Sequence, residues 1–362
     1  MIWIALAFAG TARFDPASLP IPAEANSAEN HAVANDPAGV ATENPAVVND
    51  PVAVAAVAAD TLRLIDEVVP GTFAPGKQIP GLTSELVRAT LQRISASASR
   101  LSDPAFLETC FTALRWTPDS DKWGGKIRLT RYLVYSVEGS DSPTPTHDFA
   151  LYAVPNDETG LSLEAAQLSR DRLDRFRYTR QDIAGGVFRA GGRAEGRAKP
   201  LVWLTHNDHE QAILQGTTAV KSESGTRLFN VDRDNGFAYD RAETDTTKQR
   251  RTWYFRETDA VRGAGESGTT KVALQPGAAV AGDLENIGLG TVVALEAADG
   301  LHVAVVADTG GAFQPNLHQL DLYTGIFPSR SAFEAATGKV GDTATAYVLL
   351  AKPNVPECDS AP

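Results

Sequence analysis

The sequence predicts a mainly β fold with helices at its N-terminal end, and two observations support that prediction. From Lys126 onward, short runs rich in Val, Ile, Thr and aromatic residues are separated by Gly-rich turns. Before that point, apolar residues recur at the spacing of helices. Many short strands joined by such turns are typical of β-barrels rather than of a parallel α/β sheet.

Two N-terminal helices are marked by their caps. Residues 82–94 have helical periodicity, with Thr83 or Ser84 as the cap. Asp103-Pro104 opens the second helix, because Asp is favoured at the cap and Pro at the first helical position. The predicted apolar face of this helix consists of Leu107, Cys110, Phe111 and Leu114. Cys110 is therefore expected to be a small core residue, and a disulfide to Cys358 is the alternative.

Strands dominate the remainder of the chain. They are predicted over residues 127–137, 148–154, 201–205, 211–215, 227–231, 252–255, 291–295, 302–307 and 344–350. Two helical interruptions are predicted over residues 162–176 and 179–183. The second begins with a Thr-x-x-Asp capping box and ends at two glycines.

The composition fits an exported enzyme of one large or two ordinary domains. The chain has 362 residues, of which 43% are hydrophobic, and this is enough to fill a sizeable core. A net charge of −12 argues against nucleic acid as a partner, since phosphate binding needs a basic surface. Two cysteines exclude a disulfide-dense scaffold.

The N-terminal end is predicted to be a processing segment followed by a tether. Residues 1–13 contain an apolar run that ends in small residues, as in a secretory signal, although a basic start is missing. The run is too short to span a membrane, and an unprocessed apolar terminus is the alternative. Residues 14–60 are rich in Ala, Pro, Asn and Val, which predicts a disordered tether with order beginning near Thr61.

Three aspartates in the last third of the chain are the main candidates for chemistry. Asp308 ends an apolar run and precedes Thr-Gly-Gly, Asp321 lies within the next apolar run, and Asp283 lies upstream beside Gly282. Carboxylates at strand ends beside Gly-rich turns are suited to acid/base chemistry. Two further candidates, expected to let a ligand approach the backbone because they lack a Cβ, are Gly310 and Gly311.

These motifs resemble the three-aspartate domain of the membrane-bound lytic transglycosylase A family. The specific matches are Asp283 with Ile-Gly-Leu-Gly-Thr, Asp308-Thr-Gly-Gly-Ala, and Leu320-Asp321-Leu-Tyr-Thr-Gly. Weaker matches precede them in the family's order, at Leu-Thr-Arg-Tyr132, Thr179-Arg-Gln-Asp-Ile-Ala-Gly, Gln215-Gly-Thr and Asn235-Gly-Phe-Ala-Tyr239. The resemblance covers roughly residues 61–352.

The resemblance implies two domains with a groove between them. Residues 61–130 and 258–352 would form the first, which combines helices with a double-psi β-barrel. Residues 131–257 would form an inserted β-barrel that binds substrate, and residues 353–362 a tail.

The resemblance also implies an activity and its residues. The family cleaves the β-1,4 bond between N-acetylmuramic acid and N-acetylglucosamine without water, and it leaves a 1,6-anhydro sugar. By position, Asp321 matches the family's catalytic aspartate, which acts as acid and then as base. Asp308 is expected to position the site and to raise the pKa of Asp321 by repulsion, and Asp283 to hold loops at the substrate. The other implied substrate-binding residues are Tyr132, Gln215, Gly216, Thr217, Gly310 and Gly311.

The partners and location follow from the same resemblance. The implied partners are peptidoglycan glycan strands and cell-wall enzyme complexes, and the implied location is the periplasm or the periphery of the outer membrane. No metal or cofactor is implied.

The predicted inserted domain departs from the family pattern. Arg131 stands in place of the Gly before Tyr132, Thr218 replaces the second Gly of a Gln-Gly-Ser-Gly turn, and the segment 240–251 is short. A peptidoglycan-binding protein without activity is therefore the alternative function.

Two other motifs receive simpler interpretations. An aspartic protease is a remote alternative, because Asp-Thr-Gly occurs once here and those enzymes pair two carboxylates. His206 and His209 are not expected to bind metal, because a strand and loop there would lack helical spacing.

Overall fold

The computed structural model describes residues 11–20, 50–68, 73–119, 121–265, 270–298, 300–313, 315–337 and 342–358. The helices are α1 (Pro51–Arg63), α2 (Ser84–Ala96), α3 (Pro104–Cys110), α4 (Leu163–Leu168), α5 (Arg180–Ala184), α6 (His206–Gln215) and α7 (Arg330–Thr337). The strands are β1 (Ala12–Ala17), β2 (Phe111–Pro118), β3 (Ile127–Glu138), β4 (Phe149–Tyr152), β5 (Pro200–Leu204), β6 (Thr217–Ser222), β7 (Gly225–Asp234), β8 (Trp253–Thr258), β9 (Ala279–Ala281), β10 (Val292–Ala297), β11 (Gly300–Asp308), β12 (Gln319–Phe327) and β13 (Thr343–Ala351).

The helix starts follow the predicted capping chemistry. Thr83 accepts a hydrogen bond from the Leu86 N–H at the start of α2, and Asp103 accepts one from the Ala105 N–H at the start of α3. The capping box of Thr179 and Asp182 is present at the start of α5. These side chains satisfy backbone donors that the first turn of a helix leaves unpaired.

Eleven strands form one mixed sheet in the order β1-β2-β13-β10-β11-β9-β12-β3-β6-β7-β8. Because β13 also pairs with β3, the six strands β13, β10, β11, β9, β12 and β3 close into a ring. The ring buries both faces of its strands, as the period-2 geometry requires. Val292 and Val305 pack with the helices, whereas their neighbours Val293 and Val306 pack in a second apolar cluster.

The twelve-residue strand β3 belongs to two parts of the structure. Its first half pairs with β12 and β13 in the ring, and its second half pairs with β6. Antiparallel β6, β7 and β8 extend the sheet from there, while β4 and β5 form a separate two-stranded sheet. The mainly β class with N-terminal helices is confirmed. The double-psi topology and the limits of the inserted barrel stay predictions.

The predicted tether over 14–60 is wrong for two of its segments. Strand β1 pairs with β2 in register and buries Phe14 against Trp116 at 5.8 Å between ring centroids. Helix α1 buries Val57 completely. The Asn-Asp-Pro sequence at residues 49–51, interpreted as tether, is a helix start, since Asp50 caps the Val52 N–H. Most of the predicted signal segment and residues 21–49 lie outside the described residues.

Two local predictions near the cysteines are also corrected. Helix α3 ends at Cys110, and Phe111 begins β2 instead of continuing the helical face. Cys110 and Cys358 are joined by a disulfide, with their Cα atoms 5.6 Å apart. The predicted tail at 353–362 is therefore attached to the core, at least as far as Cys358, whose side chain is buried.

Residues 206–215 form helix α6, so the predicted strand at 211–215 is wrong. The physical reason is the start signal, because Thr205 caps the Asp208 N–H and directs the following residues into a helix. His206 and His209 therefore lie on a helix and not on a strand and loop. The described residues contain no group of three or more metal-ligating side chains.

Candidate active site

Asp308 and Asp321 face each other across a single residue of β9. Asp308 on β11 is in register with Ala281, and Asp321 on β12 is in register with the same Ala281. Residues in register on neighbouring strands point to the same face of a sheet. Two strand spacings place the Cα atoms of the two aspartates about 10 Å apart, and only the small Ala281 side chain lies on the strand between them.

Both carboxylate oxygens of Asp308 have defined donors. The Tyr132 hydroxyl donates to Oδ2 at 2.7 Å, and the Thr309 N–H donates to Oδ1 at 2.8 Å. The Thr309 hydroxyl in turn donates to the Gly282 carbonyl at 2.9 Å, which fixes the turn after β11. Asp308 is therefore held as an acceptor, with its position determined by neighbours on three sides.

Asp321 has an uncommitted oxygen. Its Oδ1 is buried and has no hydrogen-bond partner among the described residues. Burial raises the pKa of Asp321 to about 6, opposed by the hydrogen bond with Thr130 and by the charge of Arg128. A carboxyl group of this pKa holds its proton to higher pH than an ordinary Asp, and its free oxygen can exchange that proton with a ligand.

The pKa of Asp308 is also raised to about 6, and burial is again the main cause. The hydrogen bonds from Tyr132 and Thr309 and the charge of Lys271 lower it, whereas Asp321 raises it. Repulsion by Asp308 was expected to be the main cause of the raised pKa of Asp321. The main cause is instead burial. The two carboxyls differ less in pKa than in hydrogen bonding, since only Asp321 retains a free oxygen.

Two tyrosines with their rings in tilted contact lie beside these carboxyls. Tyr132 on β3 is in register with Tyr323 on β12, and their ring centroids lie 5.3 Å apart. Burial, with the charge of Asp308 next, raises the pKa of Tyr132 well above its ordinary value. Tyr132 therefore stays protonated at neutral pH and acts as a hydrogen-bond donor.

Asp283 is buried, and both of its carboxylate oxygens are bonded to the loops around it. It is 1% exposed, and its Oδ1 accepts from the N–H groups of Glu285 and Asn286, both at 3.1 Å. Its Oδ2 accepts from the Asn286 side chain at 2.7 Å and from the Asn316 N–H at 2.9 Å. With four donors already in place, this carboxylate supports the turn before β10 and the loop before β12.

The Gln215-Gly216-Thr217 turn joins α6 to β6. Gly216 ends the helix with φ +78°, a conformation that glycine adopts at little cost. Gln215 is exposed, and the Thr217 hydroxyl accepts from the Asn230 side chain at 2.6 Å. Asn230 Oδ1 accepts in turn from Lys271 at 3.0 Å, so the turn is connected to a charge that acts on Asp308.

Gly310 and Gly311 lie in the turn after Asp308. Among the described residues, a Cβ at Gly311 would meet no atom within 4 Å, and one at Gly310 would meet the Phe313 ring at 3.8 Å. The described part of the chain therefore leaves room for a ligand beside this turn.

Several contributors to the site were not predicted from sequence. Thr130 pairs in register with Asp321, and Gln319 donates to the Thr130 hydroxyl at 3.0 Å. Thr130 could have been found from its position two residues before Tyr132 on one strand, which places both side chains on one face. Lys271 and Asn230 had no local signal, because only tertiary structure brings them together.

A cavity of about 190 Å³ lies beside the last turn of α6. Leu214, Tyr239 and Trp253 line part of it, and the first two are exposed by 55% and 50%. The exposed Tyr239 ring and the half-buried Trp253 ring are suited to stacking on sugar rings. No helix in the described part of the chain has the length and apolar character of a membrane span.

Comparison with solved structures identifies the fold. A membrane-bound lytic murein transglycosylase from Agrobacterium tumefaciens matches with a TM-score of 0.58 at 18% identity, over 88% of this chain and 97% of that chain. MltA from Neisseria gonorrhoeae matches with a TM-score of 0.54 at 20% identity, over 83% and 88% of the two chains. E. coli MltA with bound chitohexaose matches with a TM-score of 0.54 at 17% identity, over 86% and 94%.

These likenesses show that the chain has an MltA-type fold, which confirms at the level of fold the resemblance predicted from the aspartate motifs. No protein-family model and no curated protein sequence matches the chain.

Proposed function

We propose that this protein is a peptidoglycan lytic transglycosylase that cleaves the bond between N-acetylmuramic acid and N-acetylglucosamine. The observation that carries the proposal is the free Oδ1 of Asp321, on a carboxyl group whose pKa is raised to about 6. The MltA-type fold supports it, and one of the similar structures contains bound chitohexaose, a chain of the same kind of β-1,4-linked sugars.

Asp321 acts first as an acid and then as a base. Its proton goes to the leaving glycosidic oxygen as the bond from C1 breaks. The carboxylate then takes the proton from the C6 hydroxyl of the muramyl residue as that oxygen bonds to C1, giving the 1,6-anhydro sugar. The nucleophile belongs to the substrate, and its fixed distance from C1 supplies a high effective concentration, so no second enzyme carboxylate has to attack.

Asp308 and Tyr132 support this step without exchanging the proton. Asp308 holds the Tyr132 hydroxyl, and its negative charge faces the sugar ring, where positive charge develops as the bond breaks. The Gln215-Gly216-Thr217 turn and the open backbone at Gly310 and Gly311 contact the flanking sugars. The protein is exported and acts on peptidoglycan strands in the periplasm.

The test is digestion of purified peptidoglycan followed by mass spectrometry of the products. We expect new 1,6-anhydro ends from the wild type and none from Asp321→Asn. Glu334→Gln is the matched control, since the Glu334 side chain is 61% exposed and pairs with Arg330 on α7.

Other products would identify other functions. Reducing ends would indicate a hydrolase and overturn the non-hydrolytic reaction. Intact glycan that co-sediments with the protein would favour a binding protein.

A further inference from the structure

Lys271 places a buried ammonium group between β7 and the strand that ends in Asp308. Lys271 as a whole is 7% exposed. The ammonium donates to Asn230 Oδ1 at 3.0 Å and to the Val231 carbonyl at 2.7 Å. A buried lysine is costly unless it is paired or hydrogen-bonded, so its retention here calls for a reason beyond packing.

The backbone of Lys271 belongs to a hairpin that lies against β11. The hairpin pairs Arg262 with Ala273 and joins the Gly263 N–H to the Val272 carbonyl at 2.8 Å; residues 266–269 lie outside the described part of the chain. The Ala264 N–H donates to the Ala307 carbonyl at 2.8 Å. A Cβ at Gly263 would lie 2.5 Å from that carbonyl oxygen and 3.2 Å from Asp308 Cβ. The hairpin therefore approaches Asp308 closely, and Lys271 connects it to β7.

Two carboxylates, those of Asp232 and Asp308, interact electrostatically with Lys271. Asp232 and Asp308 raise the pKa of Lys271, although burial, the largest cause, lowers it overall. Asp232 Oδ2 accepts from the Arg256 guanidinium at 2.9 Å and 3.0 Å, while its Oδ1 is buried without a partner among the described residues. Both carboxylates therefore act on Lys271, and Arg256 already compensates the charge of Asp232.

Other charged and titratable groups face the hairpin and Asp308. They are Arg262, which donates to the Lys271 carbonyl and pairs with Asp60 and Asp259, and Tyr132, Asp321 and Tyr323 on the Asp308 side. Arg262 already pairs with two carboxylates, so its charge is largely compensated.

We propose that Lys271 is a positioning residue of the active site, which fixes β7 at Asn230 and Val231 against the hairpin beside Asp308 and brings its positive charge to that side of the site. Through Asn230 and Thr217, the same ammonium group sets the distance from the Gln215 turn to the catalytic carboxyls. The catalytic consequence rests on the transglycosylase function proposed above, whereas the effect of Lys271 on Asp308 does not.

The first test measures the titration of Asp308 without substrate. Aspartate labelled with ¹³C at its carboxyl carbon is followed by NMR against pH, and Asp308→Asn identifies the signal. In Lys271→Gln the side chain still donates hydrogen bonds but carries no charge, so the pKa of Asp308 should rise by about half a unit or more. Lys271→Arg, which keeps the charge, should stay within about 0.2 unit of the wild type. Lys248→Gln, on an exposed lysine paired with Asp245, is the control and should leave Asp308 unchanged.

An unchanged Asp308 titration in folded Lys271→Gln overturns the inference. If that variant does not fold, Lys271→Arg carries the test, and a shift of the Asp308 pKa of more than about 0.5 unit in it would contradict a role of the charge.

The second test measures peptidoglycan cleavage by the same variants. We expect Lys271→Gln to lower the rate about tenfold or more and Lys271→Arg to restore most of it. A wild type without cleavage would remove the proposed function and leave the titration result standing. A wild type that cleaves, together with a fully active Lys271→Gln, would contradict the positioning role alone.

Discussion

The Tyr132 hydroxyl donates to Asp308 Oδ2 at 2.7 Å, which joins β3 to the end of β11 although the two strands do not pair. The bond leaves Asp308 without a free oxygen, since Thr309 N–H occupies the other one. Burial raises the pKa of Asp321 to a similar value. Its Oδ1, however, has no hydrogen-bond partner among the described residues. Hydrogen bonding therefore distinguishes the two carboxyls and assigns the proton exchange in our proposal to Asp321.

Replacing Tyr132 with Phe tests this distinction. The hydroxyl lowers the pKa of Asp308, so Tyr132→Phe should raise it and should slow cleavage about 10-fold to 100-fold. Tyr254→Phe is the matched control, because its hydroxyl is buried without a partner among the described residues. Equal activity of Tyr132→Phe and the wild type would show that Asp308 needs no donor from β3.

Asp321→Asn should abolish most activity and stabilise the protein. General acid/base catalysis contributes about 10²–10⁴-fold, so cleavage should fall at least about 100-fold while peptidoglycan binding persists. Because a buried charge is removed, the free energy of unfolding at pH 8 should increase by about 1–3 kcal/mol, and Tm should rise with it. Calorimetry at pH 8 and a product assay check the two effects, and a variant that is less stable yet fully active would refute both.

The stability of the wild-type protein should fall as the pH rises from about 4 to about 6. The pKa of Asp321 is about 6 in the folded protein, above its ordinary value of 3.8. Between these values the folded state binds more protons than the unfolded state, so its relative stability is present below about pH 4 and is lost as the pH passes about 6. The difference between wild type and Asp321→Asn should therefore disappear near pH 4 in denaturant titrations; a constant difference would mean that Asp321 is not the group involved.

Cleavage should decline with the same pH dependence, because the acid must begin protonated. We expect kcat/KM to fall above an apparent pKa of about 6, a value that belongs to the coupled pair of Asp308 and Asp321. Asp308→Asn removes a neighbouring negative charge and should move this fall in kcat/KM to lower pH. A shift to higher pH would contradict repulsion between the two groups.

Helix α1 should be necessary for stability. A fragment that begins at Thr61 loses Val54 and Val57, both fully buried, and should melt well below the full chain. Within the full chain, Val57→Ala should cost about 1–3 kcal/mol. Val52→Ala, at a position 66% exposed on the same helix, should stay within about 0.5 kcal/mol. Equal Tm values for the fragment and the full chain would restore the interpretation of this region as a tether.

Much of the fold could be predicted from local sequence, and the failures have local causes. The caps at Thr83, Asp103 and Thr179 were readable because each uses side chains within three residues. Helix α1 was missed because an Ala- and Pro-rich composition hid a start at Asp50-Pro51. The strand predicted at 211–215 failed because a five-residue apolar pattern cannot distinguish a strand from the end of a helix.

The candidate site was predictable only where its residues lie in motifs. Asp308 ends an apolar run and Asp321 lies within the next one, and the structure places both beside Ala281. Asn230 and Lys271 are joined by 41 residues of chain but by one hydrogen bond in space. No spacing in the sequence reports such a contact, since it depends on how two separate hairpins pack.

The double membership of β3 has a consequence for the order in which the chain can fold. Arg128 on β3 contacts Gln319 on β12 across 191 residues of sequence, so the ring cannot close until nearly all of the chain has been made. The antiparallel β6-β7-β8 unit, by contrast, needs only neighbouring segments and can form early. Assembly that depends on such distant partners is slow and leaves unpaired strand edges exposed in the meantime. Chaperones that bind extended strands would therefore be expected to influence the yield of this protein more than its final stability.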